Sequence, residues 1–133
     1  MRKVIQPDSL FDSSQFGYSQ VVSATGARLI FISGQVGWDE NGEIVSEDLA
    51  TQARQALENV RLAITAAGGG IEDLTMLRAF IVNYQPEFVE VLVPVFRDFF
   101  ADVQPPAQTW LGVQALALPS LKIEIEVQAV LAG

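Results

Sequence analysis

Within residues 121–130 (LKIEIEVQAV), apolar and polar side chains alternate without a break from Leu121 to Ala129. A period of two belongs to a β-strand, whose successive side chains point to opposite faces. Ile123, Ile125, Val127 and Ala129 therefore line one face, and Lys122, Glu124, Glu126 and Gln128 the other. Such a strand commits the chain to a sheet with one face against a core. Helices are the expected cover. Ser46 reads as an N-cap, with Glu47 and Asp48 in the first turn, where the helix dipole favours anions. Leu49, Ala53, Ala56, Leu57, Val60, Ile64 and Ala67 follow at helical spacing, and Gly68-Gly69-Gly70 can supply a left-handed cap. A second helix is expected from near Pro86, with Phe88, Val91, Leu92, Val95, Phe96 and Phe99 as its apolar stripe. Pro94 lies inside that stripe and cannot donate to residue 90, which predicts a kink or a break.

The remaining strands are read at 2–5, 20–24, 28–33, 75–82 and 108–116. Thr25-Gly26-Ala27 joins the second and third as a hairpin. The order β-β-β-α-β-α-β-β predicts an α+β fold: a single mixed sheet with two helices on one face. The 133 residues fit one domain, 1–133. Half the chain is hydrophobic and 18% is charged, so the uncovered sheet face calls for a cover, most simply a second copy of the chain.

Several chemistries are excluded by residue type. With no Cys and no His, the chain has no thiol or imidazole nucleophile system, no disulfide and no zinc site of the usual ligands. No P-loop, dinucleotide fingerprint or GxSxG elbow occurs, so no cofactor and no metal are expected. The net charge of −8 repels phosphate backbones, and the eight Lys and Arg form no stripe, which argues against nucleic acid. No run of about 18 apolar residues predicts a membrane span. The first residues do not read as a signal peptide, and the expected location is cytoplasmic.

Acid–base work falls to Asp, Glu, Tyr or Lys. Glu124 and Glu126 stand roughly 7 Å apart on one strand face. They read either as a solvated face or as a carboxylate pair that handles water. Tyr18, in a loop before a strand, reads as packing or as chemistry. Ser33-Gly34 at a strand end reads as a turn, or as a place where a ligand meets backbone N–H groups.

Taken in order, these pieces resemble the reactive-intermediate deaminase family (Rid, or YjgF-type). The resemblance rests on Gly17-Tyr18-Ser19-Gln20, on Ile32-Ser33-Gly34-Gln35 with Asp39 and Gly42, and on Gln52 and Asn59. It continues with Ala66-Ala67-Gly68, Phe99-Phe100, Pro105-Pro106-Ala107 and Ile123-Glu124-Ile125-Glu126. It implies a chorismate-mutase-like fold and a homotrimer with a barrel-like core, with three small-molecule clefts between subunits. It implies that Glu124 positions water, and that Tyr18 and the backbone at Ser33 and Gly34 complete the cleft. Family deaminases read Pro-Ala-Arg, the arginine binding the carboxylate of an imine or enamine such as 2-aminoacrylate. This chain reads Pro106-Ala107-Gln108. An amide cannot make arginine's forked, charge-assisted pair. Arg78 and Arg28 are the alternative cations, and Trp110 shares the strand side of Gln108, either in packing or in the cleft. Two functions stay open: an imine or enamine hydrolase poor on 2-aminoacrylate, or a trimer that binds a metabolite without turning it over.

Overall fold

A computed structural model describes residues 2–132. The elements follow as β1 (Arg2–Ile5), β2 (Val21–Ala24), β3 (Arg28–Val36), α1 (Leu49–Ala66), β4 (Leu74–Val82), α2 (Phe88–Phe99), β5 (Ala107–Val113) and β6 (Ile123–Leu131). The chain is α+β with a mixed sheet, as expected. Four strands lie in the order β3-β6-β4-β5. β6 runs antiparallel to both neighbours, and β5 runs parallel to β4. The parallel pair needs a crossover, which α2 provides.

β6 is an inner strand, and its alternation organises the core. Ile123, Ile125, Val127 and Ala129 are buried, whereas Glu124, Glu126 and Gln128 are half-buried. Ile125 pairs with Ala79 of β4, and Val127 lies between Leu77 and Ile32. Onto this face pack Ala53, Leu57, Val60 and Ile64 of α1 and Leu92, Val95 and Phe96 of α2. Both helices thus cover one side. The other side carries Leu29 and Phe31, 66% and 70% exposed, and an Arg78–Glu126 ion pair at 3.4 Å.

Four local expectations are corrected. β2 does not form a hairpin with β3; it pairs with β1 as a separate ribbon, while β3 pairs with β6. The ribbon is not part of the four-stranded sheet: Ser19, just before β2, bridges Ala107 at the start of β5, and Arg2 of β1 donates to the Leu74 carbonyl at 2.6 Å. The N-cap of α1 is Asp48, not Ser46: its carboxylate accepts from Thr51 N–H (2.9 Å) and Oγ1 (2.7 Å). Ser46 instead accepts from the Asp48 N–H. Finally, Pro94 does not break α2, which runs unbroken through it. Residues 90 and 94 are both exposed, so the carbonyl deprived of its donor faces water. The C-terminus of α1 matches expectation, with Gly68 at φ 93° and Gly69 N–H donating back to the Ile64 carbonyl.

Two amides of α1 bind nearby backbone, Asn59 at the end of β3 and Gln52 in the segments beside it. Asn59 Nδ2 donates to the Val36 and Trp38 carbonyls, both at 2.9 Å. Gln52 is fully buried; its Nε2 donates to the Ser46 and Ser120 carbonyls (2.8 and 2.9 Å), and its Oε1 accepts from Lys122 N–H. Gly37 lets the two backbones meet, since a Cβ there would lie 2.9 Å from Gln52 Cα. Gln52→Leu keeps the volume but removes the partner of two carbonyls and one N–H. It is expected to lower unfolding free energy by about 3 kcal/mol, read from the urea midpoint. A loss below about 0.5 kcal/mol would show that water or a neighbour replaces the amide.

Candidate functional site

The six residues expected at a site fall into two groups. The first lies where β3 meets β6. Their register slips between Ile32 and Gln35, so Ser33 and Gly34 form an irregularity in the ladder. Gly34 faces Glu124 so closely that a Cβ would lie 2.6 Å from Glu124 Cγ, and closer still to the carboxylate. Glycine is required for the carboxylate to rest where it does. Ser33 is exposed, and its carbonyl accepts from Gln35 Nε2 at 3.0 Å. The two glutamates of β6 differ in their partners. Glu126 is held by Arg78, whereas the Glu124 carboxylate has no hydrogen-bond or ion-pair partner among the described residues. The pair is thus one neutralised carboxylate and one available one.

The second group lies at the sheet's other edge. Tyr18, Gln108 and Trp110 line a cavity of about 420 Å³ together with Phe11, Phe16, Val89 and Val93. Gln108 is opposite the buried Leu77, and Trp110 opposite Ala79, so both point to the helix side of β5. Trp110 stacks at a tilt on Phe96, with ring centroids 5.1 Å apart. Its indole N–H donates to Gln108 Oε1, while Gln108 Nε2 donates to the Gly17 carbonyl at 3.3 Å. Trp110 therefore packs against the core and lines this cavity. Tyr18 is fixed from behind, where the buried Ser13 hydroxyl donates to its carbonyl at 2.7 Å and accepts from Gln6 Nε2 at 3.2 Å. Among the described residues the Tyr18 hydroxyl has no partner.

Neither alternative cation lines this cavity. Arg78 is across the sheet with Glu126, and Arg28 lies beside Gly68. A larger cavity of about 810 Å³, lined by Ser14, Arg97, Asp98 and Asp102 among others, contains none of the six residues. Among the described residues no cluster of carboxylates is arranged to hold a metal ion.

Phe11, Phe16, Val89 and Val93 were not singled out from the sequence. Val89 and Val93 stand four apart on α2, outside the stripe assigned to its core face. The signal was that this helix is apolar on most of its circumference, which a single buried stripe does not need.

Residues 12–131 match the family model described as endoribonuclease L-PSP. A 2-iminobutanoate/2-iminopropanoate deaminase of Salmonella typhimurium is 33% identical over 103 residues, covering 77% of this chain and 79% of that protein. A RutC family protein of Aquifex aeolicus is 36% identical, covering 85% and 87%. The crystal structure of YyfB from Yersinia pestis, a Rid-family protein of unknown function, superposes with a TM-score of 0.94. It is 39% identical and covers 98% of both chains.

The contact between Gly34 and Glu124 generates a structural prediction. In Gly34→Ala the new methyl group meets the flexible end of Glu124, so the carboxylate should swing away while the fold persists. A crystal structure of the variant with Glu124 in its original rotamer would contradict this.

Proposed function

This chain belongs to the Rid (YjgF-type) family, and from that membership we propose that it is an imine or enamine hydrolase acting in clefts between copies of itself. One observation carries the reading: the carboxylate of Glu124, without a partner among the described residues and seated on the bare backbone of Gly34. Such a group can accept a proton from water as the oxygen attacks an imine carbon. The C–O bond forms as the C=N π bond breaks, and the proton returned to nitrogen completes a carbinolamine. Its hydroxyl then gives up its proton, the nitrogen takes one up, the C–N bond breaks, and ammonia leaves a carbonyl product behind. An enamine enters the same route after tautomerising to the imine.

Sheet geometry supports a cleft shared between copies. Glu124 points away from the helices and Gln108 points toward them, on strands separated by β4. One ligand meets both only if they come from different copies. The exposed Leu29 and Phe31 supply an apolar face for that contact. A homotrimer is the assembly this reading adopts. Sedimentation should give a trimer at micromolar concentration, and Phe31→Asp should shift it toward monomer. A stable wild-type monomer would remove the cleft.

Gln108 decides what the enzyme handles. The Salmonella relative is named for two imino acids, which carry a carboxylate. Here the amide that replaces arginine is already tied to Gly17 and Trp110, and among the described residues no Lys or Arg lines the cavity. The ribonuclease in the family's description does not suit a chain of net charge −8. A non-catalytic, metabolite-binding trimer is the second reading, favoured by the same loss of arginine. The test is ammonia release from freshly generated imines. Activity on 2-aminoacrylate should be low and should rise about 10- to 100-fold in Gln108→Arg, the worth of a charged hydrogen bond. Combining it with a smaller residue at Trp110 should free the guanidinium. No gain in either folded variant, with no imine hydrolysed by the wild type, favours the binding trimer.

A further inference from the structure

We propose that the cavity beside Gln108 selects uncharged aromatic molecules and rejects their carboxylates. The inference rests on reading this cavity as one wall of the reaction cleft, and it names the chemical class that wall accepts.

The lining gives the first argument. Phe11, Phe16, Tyr18 and Trp110 present aromatic surface, and Val89 and Val93 complete the wall from α2. A volume of about 420 Å³ is within the usual range of small-molecule sites, roughly 300–1,000 Å³. Phe11 is 60% exposed and stacks on Phe16 at 5.6 Å, which places a pair of rings at the mouth. Flat apolar bodies pack well against such rings.

The polar groups give the second argument. Tryptophan is a donor only, so the Trp110 N–H fixes Gln108 with its Oε1 toward the indole. The Nε2 then bonds the Gly17 carbonyl. What remains on Gln108 is one N–H and one lone pair, which suits a neutral group that both donates and accepts. The Tyr18 hydroxyl, unpartnered among the described residues, has the same dual character. An imine N–H or a carboxamide fits this set. A carboxylate can only accept, and it would surrender its hydration with no cation in the wall to offset the loss.

Benzamide and benzoate share shape and differ in charge, so they serve as probes. The side-chain N–H signals of Trp38 and Trp110 are followed in the ¹⁵N-labelled full-length protein and told apart with Trp38→Phe. Benzamide should shift the Trp110 signal saturably, with a dissociation constant at least tenfold below that of benzoate. Phe16→Ala should weaken benzamide, and Gln108→Arg should narrow or invert the preference. Benzoate binding as tightly as benzamide to the wild type would overturn the proposal. So would a Trp110 signal that benzamide leaves unmoved. Ammonia release by the wild type and Glu124→Gln separates the two readings. Benzamide binding without hydrolysis of any imine sinks the hydrolase and keeps the cavity's selectivity. Hydrolysis lost in Glu124→Gln, with benzamide inert at Trp110, does the reverse.

Discussion

Everything in this fold is referred to β6. As an inner strand it pairs on both sides, with β3 and with β4, so its alternation is imposed on the whole sheet. One face, Ile123 to Ala129, closes against α1 and α2. At roughly 25 cal/mol per Å² of apolar surface, burial of those side chains dominates the stabilising side. The opposite face inherits Glu124 and Glu126 because a period of two leaves no other place for them. Chemistry and core are thus two sides of one pattern. A shift of one residue would bury the glutamates and lose both.

The two glutamates then diverge through their neighbours. Arg78 lies opposite Glu126 across the β4–β6 ladder and pairs with it. Glu124 lies opposite Phe80 and against Gly34, neither of which offers a charge. Just beyond the ladder irregularity at Ser33-Gly34, Asn59 binds the Val36 and Trp38 carbonyls and Gln52 packs against Gly37. Two amides on α1, one half-buried and one fully buried, thus anchor the backbone that follows the Gly34 seat of Glu124. Their cost in desolvation is met because each polar atom of Gln52 finds a partner.

The sheet, both helices and their buried faces were legible because periodicity reports burial directly. The alternation at 121–130 and the helical spacing from Leu49 to Ile64 needed no tertiary information. Pairing partners were less legible. Residues 20–24 and 28–33 are close in sequence with a glycine between them, which favours a hairpin locally. β6 wins β3 because it offers a long antiparallel edge, and β1 takes β2. The cap at Asp48 was missed because Ser46 and Asp48 both have capping chemistry, and only backbone geometry at 48 decides. Tyr18, Gln108 and Trp110 were legible as separate residues. That they meet in one cavity follows from the path of residues 6–18 over α2 and β5, which no local pattern encodes.

Positions 108 and 110 also constrain each other. They are two apart on one strand and point the same way. An arginine side chain and an indole are both donors only. With arginine at 108, the Trp110 N–H would lose its acceptor and face a cation, and a half-buried donor would need another partner. With glutamine the pair is complementary: indole N–H to amide oxygen, amide N–H to the Gly17 carbonyl. The two side chains are therefore coupled in this chain: a change at 108 alters what satisfies the indole at 110. The Trp110 N–H needs an acceptor, and Gln108 supplies it. An arginine at 108 would leave the indole in need of a new acceptor, which is why a smaller residue at 110 should add to the gain that the charge alone brings.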